Sequence, residues 1–144
     1  MTNTILIIED NDDDFNAIAR VFKNAGLRNP LRRCACGTQA LDCLRPQDGT
    51  APAVIPGLIL LDLNLPGVDG RDVLRAVKSD PRLQNIPVIV LTSSMAREDI
   101  TRCYDAGADS YLMKPVDMEG FIKSVERLKE RWQGAFDLDL PRPD

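Results

Sequence analysis

The chain has 144 residues, is 44% hydrophobic and carries 22 acidic against 18 basic side chains, a net charge of −4; this fits one self-sufficient domain and gives no electrostatic footprint for nucleic acid or an anionic membrane. Histidine is absent, which excludes a Ser-His-Asp or Cys-His catalytic site and any phosphohistidine carried on this chain. The start has no basic n-region and no apolar run approaches a membrane span, so a cytoplasmic location is expected.

The first apolar run, Ile5 to Ile8, ends on Glu9-Asp10 and reads as a buried strand of a parallel sheet. Behind it Phe15, Ile18, Ala19, Phe22 and Ala25 recur at helical spacing, with Gly26 as the stop. Asp12, Asp13 and Asp14 are read as complementing the positive start of that helix rather than binding metal. Leu31 to Cys36 is a shorter strand that would set Cys34 and Cys36 on one face. A helix carrying Ala40, Leu41 and Leu44 follows it. Cys34, Cys36, Cys43 and Cys103 have neither disulfide-framework nor zinc spacing and are read as reduced, mostly buried thiols. Arg45 to Gly57 holds three prolines and two glycines, which suits an irregular surface loop.

The second long run, Leu58 to Leu61, ends on Asp62. Asn64-Leu65-Pro66-Gly67 then turns the chain into a helix with Val73, Leu74 and Val77 as its apolar stripe, ended by Asp80-Pro81. Val88 to Leu91 leads into Thr92, and Ser93 or Ser94 is the expected cap of a helix containing Ile100, Cys103 and Tyr104, closed by Gly107. Tyr111 to Met113 leads into Lys114-Pro115. The last helix places Met118, Phe121, Ile122, Val125, Leu128 and Trp132 on one stripe.

Five strands alternating with five helices predict a flavodoxin-like (βα)5 three-layer sandwich, a parallel sheet covered on both faces. With strand order 2-1-3-4-5, strands one and three flank the topological switch point. Glu9, Asp10, Asp62, Thr92 and Lys114 would then meet at the carboxyl ends of the strands. Clustered carboxylates there repel one another, and a hard divalent cation with oxygen ligands is the natural compensation.

The fragments Ile7-Ile8-Glu9-Asp10-Asn11, Leu60-Leu61-Asp62-Leu63-Asn64-Leu65-Pro66-Gly67, Val90-Leu91-Thr92-Ser93 and Tyr111-Leu112-Met113-Lys114-Pro115 occur in this order. Together they resemble the receiver domain of two-component response regulators, over residues 4 to about 130. The resemblance implies that Asp62 accepts a phosphoryl group from a phosphohistidine on a partner kinase. It implies Mg2+ held by Asp10, Asp62 and the Asn64 carbonyl, with Glu9 acting through a water. Lys114 would neutralise the phosphoryl oxygens, aimed by a cis peptide before Pro115, while the Thr92 hydroxyl and the Ser93 amide would bond to them. Tyr111 holds the switch-aromatic position and would follow Thr92 inward, the alternative being a static, half-buried tyrosine. Asn64 and Ser94 occupy positions that tune acyl-phosphate lifetime.

Residues 1–133 are expected to form the receiver and 134–144 a C-terminal extension. In that extension Phe136, Leu138 and Leu140 alternate with polar residues, as in an extended segment that packs on its own domain or forms a dimerisation arm. Leu61 to Arg71, Val90 to Ser94, Asn29-Pro30-Leu31 and the Trp-bearing tail resemble stand-alone receivers associated with phytochrome histidine kinases. That narrower match implies a bacterial phytochrome kinase as partner, a homodimer, and output through protein contacts.

Three other readings compete. A Mg2+-dependent phosphohydrolase would place a second acid two residues after its nucleophile, where this chain has Asn64. A flavodoxin-like cofactor binder would need a first loop rich in glycine and hydroxyls, and the acidic run from Glu9 to Asp14 would repel phosphate. A phosphorylation-independent adaptor would share every one of these residues.

Overall fold

A computed structural model describes residues 4–24, 26–27, 29–45, 55–65, 67–93 and 96–132, the side chains of Val125 and residues 129–132 excepted. Ser94, most of the expected loop (46–54) and the expected tail segment (134–144) lie outside the described residues. Ten elements alternate along the chain: β1 (Ile5–Ile8), α1 (Asp12–Asn24), β2 (Leu31–Cys34), α2 (Gly37–Leu44), β3 (Leu58–Asp62), α3 (Gly70–Ser79), β4 (Val88–Thr92), α4 (Arg97–Asp105), β5 (Ser110–Met113) and α5 (Met118–Trp132). The strands form one sheet in the order β2-β1-β3-β4-β5, every pair parallel. This is the expected (βα)5 arrangement, with the crossover that puts β3 beside β1.

Alternation along each strand sorts the core into two halves, as the pleat requires. Ile5, Ile7, Leu58, Leu60, Ile89, Leu91 and Leu112 face α1 and α5, where Ile18, Phe22, Phe121 and Leu128 complete the cluster. Leu6, Ile8, Ile59, Leu61, Val88 and Val90 face the other way, onto Ala40 and Leu44 of α2, Val73, Leu74 and Val77 of α3, and Cys103 of α4. Phe22 and Phe121 meet at 4.5 Å between ring centroids and tie α1 to α5. Each such fully buried aliphatic or aromatic side chain stabilises the fold by about 1.5–3 kcal/mol, so the sheet is a rigid platform for whatever its carboxyl edge carries.

Several local expectations need correction. β2 ends at Cys34, and Cys36 is instead the N-cap of α2, so the two thiols do not share a strand face. The reason is that Gly37 already begins the helix. Cys34 and Cys103 are buried, whereas Cys36 and Cys43 are only half-buried. α4 is preceded by Ala96 without a side-chain cap, so Ser93 does not cap it. On α5, Phe121 and Leu128 are buried but Ile122 is 42% exposed, because it stands one residue round from the buried stripe.

At the amino end of the sheet, Asp109 accepts hydrogen bonds from Lys78 Nζ at 2.7 Å and from Val88 N at 2.8 Å. Lys78 also donates to the carbonyl of Ile86 at 2.8 Å. This network fixes the start of β4 against α3 and β5. Among the described residues no helix is long and apolar enough to cross a membrane.

Candidate functional site

Register places the four strand ends at one edge. Ile8 pairs with Leu61, Asp62 with Leu91 and Thr92 with Met113. Glu9, Asp62, Thr92 and Lys114 therefore emerge side by side, and they do so because hydrophobic runs of similar length start in register.

Glu9 is 0% and Asp62 2% exposed, while Asp10 lies at the surface. One carboxylate oxygen from each of Glu9, Asp10 and Asp62 lies within 4.8 Å of the others. Lys114 Nζ reaches into this group, 2.7 Å from Glu9 Oε1, 2.9 Å from Asp62 Oδ2 and 3.1 Å from Asp14 Oδ2. It donates hydrogen bonds to Asp62 and Asp14. Its approach to Glu9 is the shortest but lies off the hydrogen-bonding direction, so that contact is Coulombic and Glu9 Oε1 stays a buried acceptor without a hydrogen bond. A buried, unsatisfied carboxylate oxygen beside two further carboxylates is a donor set that suits a hard divalent cation.

The two buried carboxyls differ in their titration. Burial, then the hydrogen bond with Asp62, pushes Glu9 up to about 7, against the pull of Lys114. Burial acts on Asp62 in the same direction, but the hydrogen bond with Glu9, the Asn64 amide and the Lys114 ammonium outweigh it and hold Asp62 below the usual carboxylate range. The Asn64 amide donates to Asp62 Oδ1 at 3.0 Å. Burial alone would lower Lys114, yet the Glu9 and Asp62 carboxylates beside it raise it, so it remains a full cation. The arrangement favours one ionised carboxylate, Asp62, with an ammonium on one of its oxygens and an amide on the other.

The backbone aligns these groups. Lys114 N donates to the Thr92 carbonyl at 2.8 Å, continuing the β4–β5 ladder past the strand end, and the Lys114–Pro115 peptide is cis as expected. A Cβ at Gly70 would stand 2.6 Å from the Asp62 carbonyl oxygen, so glycine is what lets α3 start directly behind the acid. Thr92 is buried. With Ser93, Asn64, Leu63, Asp69, Arg71 and Asp99 it lines a cavity of about 250 Å³ beside Asp62. Tyr111 is half-buried at the far side of β5.

Two contributors were not expected from the sequence. Asp14 closes over Lys114, although Asp12, Asp13 and Asp14 all lie in the first turn of α1. Helical side chains lean toward the amino end, which brings the third acid of the run over the strand ends. Arg33 on β2 donates from Nε to the Glu9 carbonyl at 3.1 Å and pairs with Asp12 at 2.7 Å. That contact could be inferred only once β2 was known to pair with β1.

The family model for the response regulator receiver domain matches residues 5–126. The chain belongs to the response regulator receiver family. This receiver is 41% identical over 130 residues to the probable methanogenesis regulatory protein FilR2 of Methanothrix harundinacea, covering 90% of this chain and 83% of that one. It is 35% identical over 128 residues to the response regulator Rcp1 of Synechocystis, covering 89% of this chain and 87% of the relative. Among solved structures the receiver is similar to the bacteriophytochrome response regulator RtBRR, with a TM-score of 0.79 at 33% identity over 100% of this chain and 85% of that one. It is similar also to the Mn(2+)-bound form of Rcp1, with a TM-score of 0.70 at 33% identity over 97% of this chain and 99% of that one. The receiver therefore resembles phytochrome response regulators in sequence and in fold.

Proposed function

We propose that this receiver accepts a phosphoryl group on Asp62 from the phosphohistidine of a histidine kinase, specifically a bacterial phytochrome, and signals through altered protein contacts. The observation that carries the reading is the Lys114 ammonium 2.9 Å from a buried Asp62 carboxylate held ionised. An ionised oxygen is the nucleophile that the reaction needs. As the Asp62 oxygen forms its bond to phosphorus, the nitrogen–phosphorus bond of the donor breaks and the imidazole leaves with the electron pair. Lys114 stays beside the equatorial oxygens, where the charge of the transferring group is spread.

Asp10, Asp62 and the Asn64 carbonyl would hold Mg2+, with Glu9 acting through a water. When bound, the cation supplies further neutralisation of the phosphoryl charge. Thr92 would give its hydroxyl, and Ser93 its backbone amide, to the remaining oxygens. Movement of Thr92 toward the phosphoryl group would let Tyr111 swing, altering the surface formed by α4, β5 and α5. Asn64 and Ser94 would set how fast water reaches the acyl phosphate. Catalysis is limited to the chain's own phosphorylation and dephosphorylation. Residues 1–133 would act as the receiver in the cytoplasm, and 134–144 as an arm between two copies of a homodimer.

RtBRR is named a bacteriophytochrome response regulator, which supports that class of partner. Incubation with Mg2+ and acetyl phosphate should add one phosphoryl mass, and Asp62→Asn should abolish it. A label that persists in Asp62→Asn sinks the assignment. Truncation after Trp132 should give a monomer in sedimentation; an unchanged dimer would place the interface elsewhere.

A further inference from the structure

Tyr111 lies on β5, the edge strand of the sheet, whose outer side has no strand partner among the described residues. Arg127 of α5 reaches that side. Arg127 donates from Nη2 to the Tyr111 carbonyl at 2.8 Å and from Nε to Ser110 Oγ at 3.2 Å. The Ser110 hydroxyl in turn donates to the Ser124 carbonyl at 3.1 Å. Both serines are 0% exposed, so the chain of donors runs from the guanidinium into a dry seam between β5 and α5. Two hydrogen bonds in one plane fix the orientation of the guanidinium.

The face of that fixed group meets the Tyr111 ring, with Cζ 4.4 Å from the ring centroid. Tyr104 of α4 also meets the ring, in an edge-type contact at 88° and 6.2 Å. The ring is held between α4 and α5 by a cation–π contact and an aromatic edge. Arg127 can keep both strand bonds when the ring departs, because neither bond is to the Tyr111 side chain.

We propose that Arg127 is the positioning residue that seats Tyr111, so that the strength of the Arg127–Tyr111 contact sets how readily the receiver passes to its phosphorylated form. This rests on the reading above, in which Tyr111 moves when Asp62 is phosphorylated. The seat opposes that movement. Weakening it raises the fraction of rings already displaced and with it the rate of phosphorylation by a small donor, since the displaced form is the one phosphorylation favours. A lysine cannot reproduce the seat, because one ammonium cannot bond to Ser110 Oγ and the Tyr111 carbonyl while lying flat on the ring.

The test uses full-length protein with fluorine-labelled tyrosine. The chain has two tyrosines, so Tyr104→Phe assigns the signals. Phosphorylation by acetyl phosphate with Mg2+ should shift the Tyr111 signal in the wild type. Arg127→Lys and Arg127→Met should shift it part of the way without phosphorylation, and should raise the phosphorylation rate by about three- to tenfold. In a Tyr111→Ala background Arg127→Met should have no further effect on that rate, which a merely structural arginine would not show. A wild-type Tyr111 signal that moves, with Arg127 variants matching the wild type in signal and rate, overturns the seat alone. An unmoved wild-type signal overturns the reading of Tyr111 and the seat with it.

Discussion

Replacing Lys114 with methionine removes the cation and keeps most of the stem. The ammonium lies 2.7 Å from Glu9 and 2.9 Å from Asp62, and those carboxyls are 0% and 2% exposed. Without the cation both would be buried like charges, and breaking such an arrangement costs about 3–5 kcal/mol when the remaining charge cannot be relieved. Glu9 offers relief. It is pushed up to about 7 by burial and by Asp62, and loss of Lys114, which pulls it down, must raise it further.

A carboxyl raised in the fold contributes stability that is present below its unfolded value and lost as pH rises through the folded one. For metal-free wild type this loss runs from the ordinary 4.5 to about 7 and amounts to roughly 3–4 kcal/mol at about 1.4 kcal/mol per unit. In Lys114→Met the window extends to higher pH. The cost of the substitution should therefore be small near pH ~5, about 1 kcal/mol, and grow to about 3 kcal/mol near pH ~8.5. Urea unfolding in chelator at those two values measures it. A penalty independent of pH, or one below ~1 kcal/mol at both, would refute the coupling of Lys114 to the buried pair.

Other outcomes follow from the same contacts. Asp109→Ala should destabilise the chain by about 2–4 kcal/mol in urea, because it takes the carboxylate from the Lys78 ammonium and leaves the Val88 amide without its acceptor, although Lys78 still donates to the Ile86 and Gln84 carbonyls. Gly70→Ala should cost about 1–3 kcal/mol and slow phosphorylation by acetyl phosphate, since its Cβ would stand 2.6 Å from the Asp62 carbonyl and 2.7 Å from Leu63 Cα, both backbone atoms; unfolding curves and labelling rates of a refolded sample check the two effects. A thiol reagent at mildly alkaline pH should label Cys36 and Cys43 in the native protein and spare Cys34 and Cys103. Burial pushes the Cys34 thiol up to about 11 and also raises Cys103, and mapping by peptide mass would show the pattern.

The topology was legible because β1, β3 and β4 are built on uninterrupted apolar runs buried on both faces. Leu58 to Leu61 and Val88 to Leu91 read as buried strands of a parallel sheet, and their common length brings Asp62 and Thr92 to one edge. Less was legible wherever a contact depends on direction rather than period. Asp14 looked like its neighbours Asp12 and Asp13 as a charge at a helix start, and only the lean of the first turn selects it for Lys114. Ser93 looked like a helix cap, but the helix begins later, at Arg97. Ile122 was placed on the stripe of α5 by spacing, yet it stands one residue round from the buried Phe121 and is 42% exposed. Arg127 gave no sign at all, since its role is set by a strand carbonyl and a tyrosine ring that meet only in the folded chain.

The most direct measurement is the position of the phosphoryl group after transfer from a phosphorylated bacterial phytochrome kinase in the presence of Mg2+. Borohydride reduction converts an aspartyl phosphate to homoserine, which peptide sequencing by mass locates. Homoserine at position 62, absent when Mg2+ is chelated, is the expected result. Modification at Asp10 or Glu9 instead, or transfer that survives chelation, would contradict the account.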